Sequence, residues 1–243
     1  MEVSTKVQEA EEQGADRVVF DRKGILEGAR WTVPIAIGIF AYGIVFGVLA
    51  RQAGLSGLES LLMSGLVFAG ASQFAALGLW IAPLPVAAIV LTTFVVNLRH
   101  LLMGAALRPW LAGLKGWQKF ISLFVMNDES WALTMGHFAR GGSNGGFLLG
   151  SGLVAFVAWT GATIVGQTLG SALQDPRALG LDFAFSAVFI GLLVGFWKGR
   201  GDLLPWGIAA LVAIVAALWL PGKWYIVAGG IAGSIVGAIK RDN

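Results

Sequence analysis

The sequence predicts an all-α protein, a polytopic membrane helix bundle, and three observations lead to this fold class. Hydrophobic residues make up 56% of the 243-residue chain and charged residues only 13%, whereas a soluble domain carries about 25% charged residues. Eight apolar stretches, most of them long enough to span a bilayer, follow a polar amino-terminal segment. None alternates polar and apolar residues as the strands of a membrane β-barrel do. A soluble globular domain and a disordered chain are therefore excluded.

The eight apolar stretches are expected to be helices, preceded by a polar tail over residues 1–30. The tail lacks the charged start, apolar core and cleavage site of a signal peptide, so we expect it to stay in the cytoplasm. The apolar stretches lie at roughly 31–50, 58–80, 85–107, 118–138, 146–170, 181–197, 203–220 and 223–239. Tryptophans cluster near their ends, which is typical of residues at membrane–water interfaces.

The distribution of Lys and Arg favours an arrangement in which two stretches do not cross. If all eight crossed, ten basic residues would lie on the side of the tail and six opposite, which is a weak positive-inside bias. If 58–80 and 181–197 enter and leave on one side, the counts become thirteen and three, with Arg140 among the three outside. We therefore predict two membrane repeats, 31–138 and 139–243, with re-entrant or broken helices and inverted relative to each other.

The first re-entrant stretch carries signals for a helix start and for a break. Ser56 and Glu59 have the spacing of a capping box, which predicts a helix beginning near Gly57. Small and polar residues follow near the middle of the stretch: Gly70, Ala71, Ser72 and Gln73. Irregular backbone is tolerated at this depth where it lines a cavity, so we expect these four residues to bind a substrate carboxylate. Tyr42 is a further candidate for substrate binding, with a packing role as an equal alternative.

Polar and ionisable residues near the centres of 85–107 and 118–138 form a second candidate group. They are Asn97, which we assign to substrate binding, and Arg99, His100, Asp128 and Glu129. A charge at the bilayer centre costs about 2.5–3.5 kcal/mol, so these groups are expected to face one another or a polar cavity. Two interpretations stay open. Arg99 and an acid form a structural pair that fixes helix register, or a carboxylate or His100 exchanges a proton during transport.

Other functional classes find less support in the sequence. The chain has no Cys and two His, so neither a metal site nor a cofactor is predicted, and its net charge of +3 does not indicate nucleic acid. An intramembrane hydrolase built on Ser72, His100 and Asp128 is one alternative, but the Ser lacks the flanking residues of a nucleophile elbow. A channel-like or non-transporting subunit is another alternative, although no filter-like repeat is present.

Several motifs resemble those of the AzlC family of branched-chain amino-acid permeases. They are GLSGLES at 54–60, FAGASQF at 68–74, NLRHL at 97–101 and the acid pair at 128–129. The resemblance extends over about residues 24–239 and implies export of branched-chain amino acids across the inner membrane. It also implies a small AzlD-type membrane subunit as partner and drive by protons. An apolar pocket discriminates one methylene by only about 1–3 kcal/mol, so Val, Leu, Ile and Met are all expected substrates.

Overall fold

The computed structural model describes residues 18–172, 190, 191, 194, 197, 199–220 and 224–241. Its helices are α1 (Arg22–Gln52), α2 (Gly57–Leu66), α3 (Gly70–Gly78), α4 (Val86–Ala106), α5 (Arg108–Leu111), α6 (Gly116–Phe124), α7 (Asp128–Ala139), α8 (Gly146–Ala172), a 3-10 turn (Arg200–Asp202), α9 (Leu203–Trp219) and α10 (Trp224–Arg241). No β-strand forms within these ranges. The second predicted re-entrant stretch, 181–197, lies almost entirely outside the described residues.

Four of the described helices are long and apolar enough to cross a membrane: α1, α4, α8 and the segment Arg200–Trp219 that contains α9. This confirms the predicted all-α polytopic membrane fold. Contacts between residues divide the chain into two units, which we describe separately. The first unit comprises Met1–Gly70 with Asn97–Ala172, and the second comprises Ala71–Val96 with Leu173–Asn243.

Helices α1 and α8 form the centre of the first unit and run parallel to each other. Gly43 faces Ala162, Gly47 faces Gly166, and further along Arg51 packs against Gly170. Glycine at these positions lets the two backbones approach closely, since a Cβ added to Gly43 would lie 2.7 Å from the Cβ of Ala162. As the first helices of the two predicted repeats, α1 and α8 should be antiparallel in an inverted arrangement. That detail of the predicted topology is therefore wrong for this pair.

The starts of α1 and α8 are joined by hydrogen bonds, which define what we call the amino-terminal face of the first unit. The Oδ1 atom of Asp21 accepts from the backbone N–H of Gly24 at 3.0 Å and from the side-chain amide of Asn144 at 2.8 Å. The Val19 N–H donates to the carbonyl of Ser143 at 3.0 Å. The loop after residue 138 thus lies on the same side as residues 18–24, whereas the prediction placed it opposite, together with Arg140.

Helix α2 begins at the opposite face and stops about halfway along α8. Its first turn carries the predicted capping box of Ser56 and Glu59, which confirms a start at Gly57. From there the side-chain contacts step back along α8, from Ser60 with Gln167 to Ser64 with Thr163. The helix ends at Leu66 and α3 begins at Gly70, so the predicted break within the first re-entrant stretch is present.

Helices α6 and α7 form a hairpin that enters and leaves at the amino-terminal face. Trp117, in the first turn of α6, packs on Phe20 with ring centroids 6.0 Å apart, whereas Phe124 at its end reaches Phe156 of α8 at 6.4 Å. Helix α7 returns, and His137 in its last turn stacks on Phe147 with ring centroids 4.3 Å apart. The prediction of one continuous crossing over 118–138 is therefore wrong.

The physical reason for this turn is a helix cap in the middle of the apolar stretch. Asn127 has an extended backbone, and its side-chain oxygen accepts from the Ser130 N–H at 2.9 Å. The hydroxyl of Ser130 in turn accepts from the Asn127 N–H at 2.9 Å. These bonds satisfy amides that would otherwise be costly to bury, so a new helix can start at membrane depth.

In the second unit, α9 and α10 form an antiparallel pair. Gly229 of α10 faces Ala213, and Gly233, one turn further along, packs against Ala209 and Pro205. The glycine spacing in the last apolar stretch therefore serves packing within the protein. Helix α3 after Gly70 and the first half of α4 also belong to this unit.

Candidate functional site

The first unit contains two helix breaks, and both contact the same aromatic residue of α8. Phe68, between α2 and α3, packs on Phe156 with ring centroids 5.0 Å apart, and Phe124 at the end of α6 packs on it from the other break. Phe156 is ten residues into α8, near its middle. The two breaks therefore meet at mid-depth of the spanning helix, reached from opposite faces.

The first break is made by an unusual backbone conformation. Phe68 has a φ of 41°, in the left-handed region that bulky residues seldom adopt. Such a conformation costs on the order of 1–3 kcal/mol and persists only when its surroundings hold it. Here the ring of Phe68 is buried, 5% exposed, against Phe156. The break ends α2 at Leu66, and α3 begins at Gly70.

The four residues predicted to bind a carboxylate form the first turn of α3. Gly70 belongs to the first unit and lies under Trp159 of α8, where an added Cβ would be 3.0 Å from the indole ring. Ala71, Ser72 and Gln73 belong to the second unit, and the side chains of Ser72 and Gln73 are fully buried. The first N–H groups of a helix have no acceptor within it, and they favour negative charge.

The second break carries the charged residues. The guanidinium of Arg99 on α4 lies 2.9 Å from the carboxylate of Asp128, the first residue of α7, with side chains 23% and 43% exposed. A carboxylate at this position is also favoured by the helix dipole. Helices α4 and α7 are further joined by the indole N–H of Trp131, which donates to the Met103 carbonyl at 3.1 Å.

The remaining residues of the predicted network lie around this ion pair with fewer contacts. His100 Nδ1 is 3.3 Å from the backbone carbonyl oxygen of Asn97. The side-chain oxygen of Asn97 and the Nε of Arg99 are buried and have no hydrogen-bond partner in the part of the chain that the structure describes. Glu129 is exposed and forms no ion pair with any described residue. Tyr42 lies on an exposed part of α1, 39% accessible.

Sequence reasoning missed a series of polar contacts that attach α8 to its neighbours. The Gln167 amide donates to the Ser60 hydroxyl, Ser64 and Thr163 share a hydrogen bond of 2.8 Å, and Thr32 and Ser151 share one of 2.6 Å. All six residues are buried. The signal was present as matching spacing of four in both partners, Ser60 with Ser64 and Thr163 with Gln167, which places each pair on one helix face.

Helices that cross the membrane, together with helices that stop at mid-depth and restart, define a polytopic membrane protein with re-entrant helices. Comparison with known families extends this description. The family model described as AzlC protein matches residues 34–173, which is more than half of the chain. The chain therefore belongs to the AzlC family.

Curated relatives support this assignment. An uncharacterized membrane protein of Archaeoglobus fulgidus is 37% identical, over 74% of this chain and 77% of the relative. The branched-chain amino acid transport protein AzlC of Bacillus subtilis is 27% identical, over 69% of this chain and 65% of the relative. The inner membrane protein YgaZ of Escherichia coli is 28% identical, over 88% and 90%. No solved structure matches the chain.

Proposed function

We propose that this chain is a secondary transporter that exports branched-chain amino acids across the inner membrane, coupled to protons and assisted by a small AzlD-type subunit. One observation carries the proposal. Helices that start at opposite faces end at two breaks, and both breaks contact Phe156 at mid-depth of α8. An ion pair lies at the start of α7, beside the second break. Broken helices of this kind form substrate and ion sites in several transporter folds. The name of the Bacillus subtilis relative supports the substrate class.

The substrate carboxylate is proposed to bind at the first turn of α3. The residues concerned are Gly70, Ala71, Ser72 and Gln73. Support comes from the position of these residues at a helix start, because the helix dipole favours negative charge there. Asn97, whose buried side-chain oxygen lacks a described partner, and Tyr42 stay secondary candidates for substrate contact.

The coupling proton is proposed to be exchanged by Glu129 or His100. Arg99 cannot lose its proton in a protein and engages Asp128 at 2.9 Å. Glu129 follows directly in sequence but stands outside that ion pair, so it can change its protonation state without leaving Arg99 unpaired. Asp128 then has a positioning role, since it holds the start of α7 against α4.

The amino-terminal face is proposed to be cytoplasmic. Basic residues of the first unit that lie at or beside this face are Arg22, Lys23, Arg30, Arg108, Lys115, Lys119 and Arg140, whereas Arg51 lies at the opposite end of α1. Such an excess of Lys and Arg is typical of the cytoplasmic side of a membrane protein. Cysteine labelling from outside intact cells at residue 115 would contradict this orientation, and labelling at residue 51 would support it.

Transport in proteoliposomes containing the chain and its small subunit tests the proposal. We expect saturable counterflow of labelled leucine and accumulation driven by an imposed pH gradient. Glu129→Gln should lose the pH-driven accumulation while keeping counterflow, whereas Glu27→Gln, at the amino-terminal face, should keep both. Full pH-driven accumulation by both Glu129→Gln and His100→Gln would refute the coupling role. A flux that never saturates would instead support a channel-like subunit.

A further inference from the structure

A cleft of about 410 Å³ lies at the amino-terminal end of α1, away from the two helix breaks. It is lined by Lys23, Leu26, Glu27, Arg30 and Trp31. These residues recur at spacings of three and four and so share one side of the helix. Two of the five are cationic, and the proposed transport mechanism uses none of them.

A third cation lies beside the cleft, at the end of α7. The guanidinium of Arg140 lies over the ring of Trp31, 5.0 Å from its centroid. Trp31 is itself held by an edge contact with Phe147, with centroids 6.5 Å apart. A guanidinium fixed on an aromatic face still has N–H groups at its edge, and these match the oxygens of a phosphate.

The charges around the cleft do not cancel. Glu27 lines it, but its carboxylate faces His137, whose Nδ1 is 3.7 Å away. Lys23, Arg30 and Arg140 form no ion pair with any residue that the structure describes. Three cations therefore surround one carboxylate, and the cleft is positive overall.

The position of the cleft along α1 matches the depth of lipid headgroups. No charged residue follows Arg30 until Arg51 near the other end of the helix. Beyond Trp31 the helix presents exposed apolar side chains such as Val33 and Ile37, 57% and 75% accessible. An exposed Trp at such a boundary is typical of the membrane interface. Arg30 thus lies one helical turn before Val33, where this apolar surface begins.

We propose that this cleft binds the phosphate of an anionic phospholipid. Arg30 and Arg140 bind the phosphate oxygens, Lys23 adds charge at the outer rim, and the acyl chains lie along Val33 and Ile37. Basic pockets beside membrane helices bind anionic headgroups in this way. The inference requires only that the chain spans a membrane, and it stands apart from the proposed transport function.

Native mass spectrometry of the detergent-purified chain tests this site. The probes are phosphatidylglycerol and phosphatidylcholine, each titrated alone. We expect tighter binding of phosphatidylglycerol, weakened about fivefold by Arg30→Gln and again by Arg140→Gln. Arg51→Gln removes one exposed cation from the other end of the same helix and should leave binding unchanged, which makes it the matched control.

Three outcomes would overturn the proposal. They are equal binding of the two lipids, equal loss in the Arg51→Gln control, and displacement of the lipid by millimolar inorganic phosphate. The last result would identify a site for free phosphate rather than for a lipid. Lys23→Gln, at the exposed rim, offers a second variant should Arg140→Gln fail to fold, and it should weaken binding in the same direction.

Discussion

Removing Asp128 while keeping Arg99 separates the structural and transport interpretations of the ion pair. In a fully buried pair, loss of one partner costs about 3–5 kcal/mol because a charge stays uncompensated. Here the side chains are 23% and 43% exposed, so protein does not fully enclose the pair and the cost should be smaller. We expect Asp128→Asn to destabilise the protein by about 1–2 kcal/mol, which for a chain of this size lowers the unfolding midpoint by about 2–8 °C.

The matched variant is the double substitution Arg99→Gln, Asp128→Asn, which removes the uncompensated charge. If the pair serves only to fix helix register, the double variant should recover most of the lost stability and also transport. If the pair also positions the coupling groups, stability should recover while pH-driven accumulation stays reduced. The assays are thermal unfolding in detergent and leucine accumulation in proteoliposomes. An Asp128→Asn midpoint equal to that of the parent chain would refute the reasoning about an uncompensated charge.

Three further predictions follow from other contacts. Gly43→Leu should prevent α1 from packing on α8, because even a Cβ would lie 2.7 Å from that of Ala162. We expect this variant to lose its monodisperse peak in size-exclusion chromatography. Gly38→Leu, with open space around it, should be tolerated. Asn127→Ala should remove a helix cap and destabilise the protein by about 1 kcal/mol, with Asn127→Asp retaining most of the stability. Hydrogen bonds from the Gly24 N–H, and to a smaller extent from Asn144, lower the pKa of Asp21 below its usual value of 3.8. The stability that results is fully present above pH 3.8 and is lost as the pH falls through the lowered pKa. On acidification, the thermal unfolding midpoint of Asp21→Asn should therefore fall less than that of the parent chain.

Features determined by neighbouring residues could be predicted from the sequence. The start of α2 depends on two residues three positions apart, Ser56 and Glu59, whose side chains reach only local backbone. A break within 58–80 was also predicted, but the structure places it at Phe68, just before the small residues Gly70 and Ala71, which are helical. The polar groups at the middle of 118–138 were also evident, and the structure shows that Arg99 contacts Asp128.

Features determined by distant residues could not be predicted in the same way. Apolar length alone cannot distinguish a crossing from a hairpin, and the turn at 125–127 depends on the capping box of Asn127 and Ser130. These two residues have the spacing of a capping box, a signal that the prediction of one crossing over 118–138 did not use. The parallel packing of α1 and α8 depends on contacts between residues more than a hundred positions apart, such as Gly43 and Ala162. Because the hairpin brings the chain back to the amino-terminal face, Arg140 lies on the side opposite to the predicted one.

The glycine contacts between α1 and α8 have a mechanical consequence. Where Gly47 faces Gly166, backbone touches backbone, and neither a lipid tail nor a water molecule fits between the two helices. Such close packing favours movement of α1 and α8 together as one body. If the proposed transport function holds, we therefore expect the half-length helices that end near Phe156, rather than α1 against α8, to move within the first unit.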